Sequence, residues 1–134
     1  MAMKETIEHH GDVLDQLALA SLRELQDEGD PDIVAEVGSL FLKHSPDKVK
    51  AILQAVEKND AKGLQLAAHS LKSSSAYIGA MHLSALAKEL EMTGRSGILE
   101  GAKEAAQKLQ EEFSLAVKAL EDEIARSGLE QKPR

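Results

Sequence analysis

The sequence predicts an all-α fold: an up-and-down helical bundle with a four-helix antiparallel core plus short N-terminal helices. Three observations carry that prediction. Ala, Leu, Glu and Lys dominate the 134 residues, whereas β-branched and aromatic side chains are scarce, so the chain favours helix at nearly every position. Apolar residues recur every three or four positions, and no strand-like alternation persists beyond a few residues. Pro31, Pro46 and Pro133 lie outside the long periodic segments.

Six helices are expected. The first covers residues 13–27, with Leu14, Ala18, Ser21, Leu22 and Leu25 at helical spacing. The second runs from Pro31 to His44, because Asp30-Pro31 has the form of an N-cap followed by proline at the first helical position. It carries Ile33, Val34, Val37, Leu40 and Phe41. Ser45-Pro46 has the same form and opens a third helix to Lys58, carrying Val49, Ile52, Leu53 and Val56. Asp60 is the N-cap expected for a fourth helix over residues 61–78. A fifth over residues 80–93 turns Leu83, Leu86, Ala87 and Leu90 inward, and Gly79, Gly94 and Gly97 punctuate this half of the chain. The sixth begins near Ile98 and ends near Arg126, with Ile98, Ala102, Ala105, Leu109, Phe113, Ala116, Leu120 and Ile124 on one stripe, and Gly128 follows the last periodic residue. Its span, roughly 40 Å at the helical rise, suits a bundle-spanning helix. Connections of a few residues make neighbouring helices antiparallel, and the four-helix core is expected from the third to sixth helices. The organisation expected is a flexible tail over residues 1–11, a bundle over 12–127 and a flexible tail over 128–134.

Composition excludes several functions. The only aromatic residues are Phe41, Tyr77 and Phe113, too few for a base-stacking surface. With 16 basic and 23 acidic residues the net charge is -7, which repels phosphate backbones and anionic lipid, so neither nucleic acid nor membrane is an expected partner. The absence of cysteine removes disulfides, thiolate metal sites and thiol nucleophiles. Apolar runs such as Leu17 to Ala20 are far too short to span a bilayer, and Met1 to Glu5 lacks the apolar stretch of a signal peptide. The cytoplasm is therefore the expected location.

Of the five histidines, His9 and His10 lie in the polar N-terminal tail, His44 in the last turn of the second helix, and His82 in the first turn of the fifth. At His44 a partly charged imidazole complements the negative helix end, and His82 suits a surface or cap role. His69 has a different address. In a 100° projection of the fourth helix, Leu64, Ala67, Ala68, Leu71, Ser75 and Ile78 cluster on the core face, whereas His69 falls about 140° from Leu64, on the outer side with Leu66 and Ser73. Lys72 follows one turn later on the same helix. An exposed neutral imidazole is a competent phosphoryl acceptor, and a neighbouring ammonium offsets the charge it acquires. Ser70, Ser73, Ser74 and Ser75 keep the surroundings small. Metal binding is the rival chemistry, but no His-x3-His or Glu-x-x-His pair accompanies His69, so no metal and no cofactor are expected. No glycine-rich phosphate loop is present for ATP, and no Gly-x-Ser-x-Gly turn for a serine hydrolase.

The segment from Ala68 to Ala80 (Ala-His-Ser-Leu-Lys-Ser-Ser-Ser-Ala-Tyr-Ile-Gly-Ala), followed by Leu83, Leu86, Leu90-Glu91 and Gly94-Arg95-Ser96-Gly97, resembles a histidine-containing phosphotransfer (HPt) domain of bacterial two-component phosphorelays. Phe41-Leu42 and Asp60 are similar to the family as well. The resemblance covers roughly residues 12–125, and its specificity lies in the thirty or so residues after Ala67.

The resemblance implies a phosphocarrier rather than an ATP-dependent kinase. His69 would take a phosphoryl group from a receiver-domain aspartate and pass it to another, with Lys72 steadying the phosphate charge. Glu91 would orient the imidazole from the neighbouring helix, and Arg95 would be a supporting basic residue. Expected partners are response-regulator receiver domains and a hybrid sensor histidine kinase, met by a monomer, with Mg2+ held by the receiver rather than by this chain. Leu66, Ser73, Tyr77, Gly79 and Leu19 are the candidate partner-binding residues. Many relatives have glycine at the position of Ser73, and a modest side chain such as Asn at that of Tyr77. Leu66 either docks a partner or packs against the first helix, and Tyr77 either shapes partner choice or is a half-buried ring at the bundle edge. Gly79 would end the fourth helix and let the fifth pack closely. Two alternatives stand beside this reading: a degenerate HPt-like adaptor that binds without transferring, and the phosphoacceptor domain of a chemotaxis-type kinase.

Overall fold

The computed structural model describes residues 13–30 and 32–131; the tail expected over 1–11 and the helix start expected at Pro31 lie outside them. The described residues form five helices: α1 (Gln16–Arg23), α2 (Ile33–Glu57), α3 (Ala61–Tyr77), α4 (Met81–Ser96) and α5 (Ala102–Gln131). Helices α2 to α5 form the four-helix antiparallel core, in which α3 packs on α2 and α4, and α5 closes the ring against α4 and α2. Short α1 lies against α2. Among the described residues no helix is long and apolar enough to cross a membrane.

The main departure from expectation is α2, which joins the predicted second and third helices into one, with Pro46 inside it. Its buried residues Val34, Gly38, Phe41, Ser45, Val49, Ile52 and Ala55 keep a spacing of three or four across the proline without a break in phase. Pro46 itself is exposed. A proline inside a helix costs about 3 kcal/mol, and burial of a continuous apolar face on both sides of it offsets that loss. Ser45 is thus a buried interior residue rather than a cap, and His44 is an exposed mid-helix residue rather than a C-terminal one.

The other boundaries follow local chemistry. Asp32, not Asp30, caps α2, accepting from the Val34 N–H, and the Gln26 side chain accepts from Ile33 N–H at 2.8 Å. Asp60 caps α3 through the Gly63 N–H at 2.9 Å, after a turn made by Asn59 at φ 58°. Helix α1 is shorter than expected, starting after its cap Asp15 and leaving Leu25 exposed beyond its end. The loop after Gly97 removes Ile98 from the core stripe and exposes it. At the other end α5 continues through Gly128 to Gln131, because a single glycine lowers helix propensity without ending a helix rich in Glu, Arg and Leu. Gly94, expected as punctuation, is interior to α4.

Leu64, Ala68, Leu71, Leu83, Ala87, Leu90, Leu109, Ala116 and Leu120 fill the centre of the bundle. Phe41 and Phe113 join α2 to α5 with ring centroids 6.1 Å apart. Leu19 and Leu22 bury α1. At its start the Asp15 N–H donates to the Gly79 carbonyl at 2.7 Å, and at its end Arg23 pairs with Asp32 at 3.5 Å and with Glu123 at 3.2 Å. Both carboxylates are buried, and Arg126 also pairs with Glu123.

Candidate functional site

Four side chains predicted to act together are brought together on the α3–α4 pair. His69 and Lys72 come from α3, Glu91 and Arg95 from α4. The core face of α3 is held by Leu64, Ala68, Leu71 and Ser75, which turns the His69 imidazole outward with 60% of its surface exposed. Beneath it lies Glu91, whose side chain is only 4% exposed.

Glu91 is the hub. Its Oε2 accepts from His69 Nδ1 at 2.7 Å and from an Arg95 guanidinium nitrogen at 3.2 Å, while its Oε1 meets Lys72 Nζ at 2.7 Å. The hydrogen bond from Lys72 is the largest influence on this carboxyl and holds it below the usual carboxylate range; burial pushes the other way, and the His69 hydrogen bond adds to the lowering. Glu91 is therefore an anion at neutral pH. An anionic acceptor at Nδ1 selects the tautomer with hydrogen on that nitrogen and leaves the nucleophilic lone pair on Nε2.

Two further contacts set the spacing. The Ser84 hydroxyl donates to the Lys72 carbonyl at 2.9 Å, pinning α4 to the turn that carries Lys72. Gly94 lies so close to α3 that a Cβ there would stand 2.6 Å from Gln65 N and 2.7 Å from the Ala61 carbonyl oxygen. Neither residue was expected in this role. Ser84 offers no sequence signal, whereas a glycine inside a helical repeat is the signature of close helix approach.

The partner-binding candidates divide. Leu66, Ser73 and Tyr77 are exposed along α3, so Leu66 does not pack against α1. Tyr77 borders an apolar groove with Leu40, Phe41, His44 and Ser74. Leu19 and Gly79 are corrections, since both are buried. Leucines occur on both sides of α1, and the Asp15–Gly79 contact turns Leu19 and Leu22 inward and leaves Leu17 outside. Gly79 ends α3 at φ +85°, covered by α1: a Cβ on it would lie 3.0 Å from the Asp15 carbonyl oxygen and 3.2 Å from Ala18 Cβ. Met92, next to Glu91 in α4, is an exposed apolar residue that was not anticipated.

An all-helical bundle with an outward imidazole backed by a buried carboxylate and flanked by an ammonium defines a class of phosphoryl-accepting helical proteins. The chain belongs to the Hpt domain family, whose pattern matches residues 36–127. It is 36% identical over 102 residues to histidine-containing phosphotransfer protein 4 of Arabidopsis thaliana, covering 75% of this chain and 80% of that one. It is 33% identical over 102 residues to pseudo histidine-containing phosphotransfer protein 2 of Oryza sativa subsp. japonica, covering 75% and 68%. The fold is similar to that of histidine-containing phosphotransfer protein B from Pseudomonas aeruginosa, with a TM-score of 0.77 and 29% identity over 85% of this chain and 96% of that one. A histidine-containing phosphotransfer protein from Medicago truncatula gives a TM-score of 0.75 with 28% identity, covering 94% and 86%.

Proposed function

We propose that this chain is a histidine phosphotransfer protein of a multistep phosphorelay, in which His69 carries the phosphoryl group between receiver-domain aspartates. The observation that carries this reading is the 2.7 Å contact between His69 Nδ1 and the buried Glu91 carboxylate, which leaves Nε2 as the nucleophile on an exposed ring. Nε2 attacks the phosphorus of a receiver's aspartyl phosphate, the N–P bond forms, and the P–O bond breaks with its electron pair left on the aspartate. In the return step a second receiver's carboxylate takes the phosphoryl group. Lys72, one turn from His69, exchanges its bond to Glu91 for one to the phosphoryl oxygens. Arg95 supports the carboxylate, and exposed Leu66, Ser73 and Tyr77 lie on the face a receiver covers. On this reading the chain acts as a cytoplasmic monomer and phosphocarrier, not as an ATP-dependent kinase, and the Mg2+ of the reaction belongs to the receiver's acidic pocket.

Similarity to the pseudo histidine-containing phosphotransfer protein of rice gives weaker support to a second reading, an adaptor that binds without transferring. Incubation with a receiver carrying radiolabelled aspartyl phosphate separates the two. Label is expected on the wild-type chain, acid-labile and base-stable, and absent from His69→Gln. Binding without label on either chain would establish the adaptor.

A further inference from the structure

Glu91 does more in the geometry than orient a nucleophile. Accepting a phosphoryl group at Nε2 while Nδ1 keeps its hydrogen turns the imidazole into an imidazolium. In the return step the N–P electron pair goes back to Nε2, and the group that leaves is neutral imidazole if Nδ1 still holds its proton. If that proton has been lost, the leaving group is an imidazolate, a far stronger base and a far poorer leaving group. The protonation of Nδ1 on the phosphorylated ring therefore decides how well His69 donates, and Nδ1 is the atom that Glu91 holds at 2.7 Å.

We propose that Glu91 is a positioning residue for the donor half of the reaction: its carboxylate keeps Nδ1 of phosphorylated His69 protonated, so that the ring departs as neutral imidazole when the phosphoryl group passes to a receiver. This inference rests on the phosphocarrier reading of His69. Glu91 suits the task because it is buried, so no solvent replaces it, and because Arg95 stays on Oε2 when Lys72 leaves Oε1 for the phosphoryl group. When Lys72 turns to the phosphoryl oxygens, the carboxylate loses part of its compensation and binds the Nδ1 hydrogen more firmly. A neutral amide in the same place would accept the hydrogen bond without stabilising the positive ring.

The charged groups at the imidazole are Glu91 and Arg95 on α4 and Lys72 on its own helix. From α2, the other helix packed on α3, His44, Asp47 and Lys48 line a groove with Ser74 and Tyr77, farther along α3. They lie next to different turns of the helix from the one that carries His69.

The test loads wild type and Glu91→Gln with phosphoramidate, a small donor that phosphorylates imidazole directly, and subtracts the signals of identically treated His69→Gln. Nitrogen NMR then follows the Nδ1 titration of phosphorylated His69, and discharge to a receiver domain with Mg2+ is timed between about pH 6 and about pH 9. The wild-type midpoint is expected at least about one pH unit above that of free Nε2-phosphohistidine, and that of Glu91→Gln close to the free compound. Discharge of the two proteins should converge near the acid end and differ about tenfold at the alkaline end. Coincident midpoints, or a rate loss equal at every pH, would overturn the proposal. Should Glu91→Gln fail to fold, the comparison of wild type with free phosphohistidine decides the point. If no receiver discharges either protein, the phosphocarrier reading has failed, and the midpoints still report whether Glu91 holds the proton.

Discussion

Gly94 of α4 packs against the backbone of Gln65 in α3, so that even a methyl group at Gly94 would lie 2.6 Å from the Gln65 nitrogen. The two positions are one turn away from the functional pair: His69 follows Gln65 by four residues, and Glu91 precedes Gly94 by three. The closeness of the helices at Gly94 is thus what allows a short, buried carboxylate to reach the imidazole of the next helix.

Gly94→Ala is expected to force α3 and α4 apart, because the clashing atoms are backbone and cannot rotate away. Overpacking of this kind costs about 1–3 kcal/mol, measurable by urea denaturation. The same variant should lengthen or break the His69–Glu91 hydrogen bond, seen as loss of a downfield Nδ1 proton resonance.

Lys72→Ala removes both the ammonium proposed to meet the phosphoryl group and the main influence on Glu91. Transfer from a phosphorylated receiver should slow by about a hundred- to a thousandfold, the usual range for one charge-stabilising group. The Glu91 carboxyl should also titrate at higher pH, since the Lys72 hydrogen bond is the largest cause of its lowering. Carbon NMR of that carboxyl checks the second outcome independently of any partner, and an unmoved titration would count against the network described.

Acidification should weaken the α3–α4 pair in a defined direction. The carboxyl of Glu91 has a lower pKa in the folded chain than in the unfolded one. Its contribution to stability is then complete above the unfolded value, near 4.3, and is lost as pH falls through the folded value. Wild type should therefore be more stable than Glu91→Gln at neutral pH, with the difference shrinking below about pH 4. Thermal melts of both proteins across that range give the comparison.

Arg23→Met is expected to loosen α1 without dismantling the bundle. Arg23 ties α1 to buried Asp32 of the α2 cap and to buried Glu123 of α5, and removing it strands charge in the interior. A loss of about 1–3 kcal/mol is expected, less than for an isolated buried pair because Arg126 also meets Glu123. Hydrogen exchange should quicken in α1 while the amides of Leu64 to Leu71 keep their protection.

The sequence disclosed most where helical geometry repeats without interruption. Leu64, Ala68, Leu71 and Ser75 lie at regular spacing, so the projection that sends His69 outward needs nothing from the rest of the chain. Reading Ser45-Pro46 as a boundary failed because the local cap rule competed with a buried face running from Val34 to Ala55, and packing over that length outweighed one missing hydrogen bond. In α1 the failure was one of rotation, since Leu17 and Leu19 were equally apolar and only contact with Gly79 chose between them. Glu91 was legible through family resemblance alone. Its meeting with His69 depends on the packing of two helices, a tertiary fact that no periodicity in either contains.

His69 stands on the flank of a helix and not at the bottom of a cleft, with most of its ring open to water. Water therefore competes with every receiver for a phosphoryl group placed there. Hydrolysis of the carried group therefore runs beside its transfer to the next receiver. The output of the relay would then depend on how many receivers are present and how fast they arrive. Mutations that slow association would cost signal by leakage to water even when the transfer chemistry is untouched.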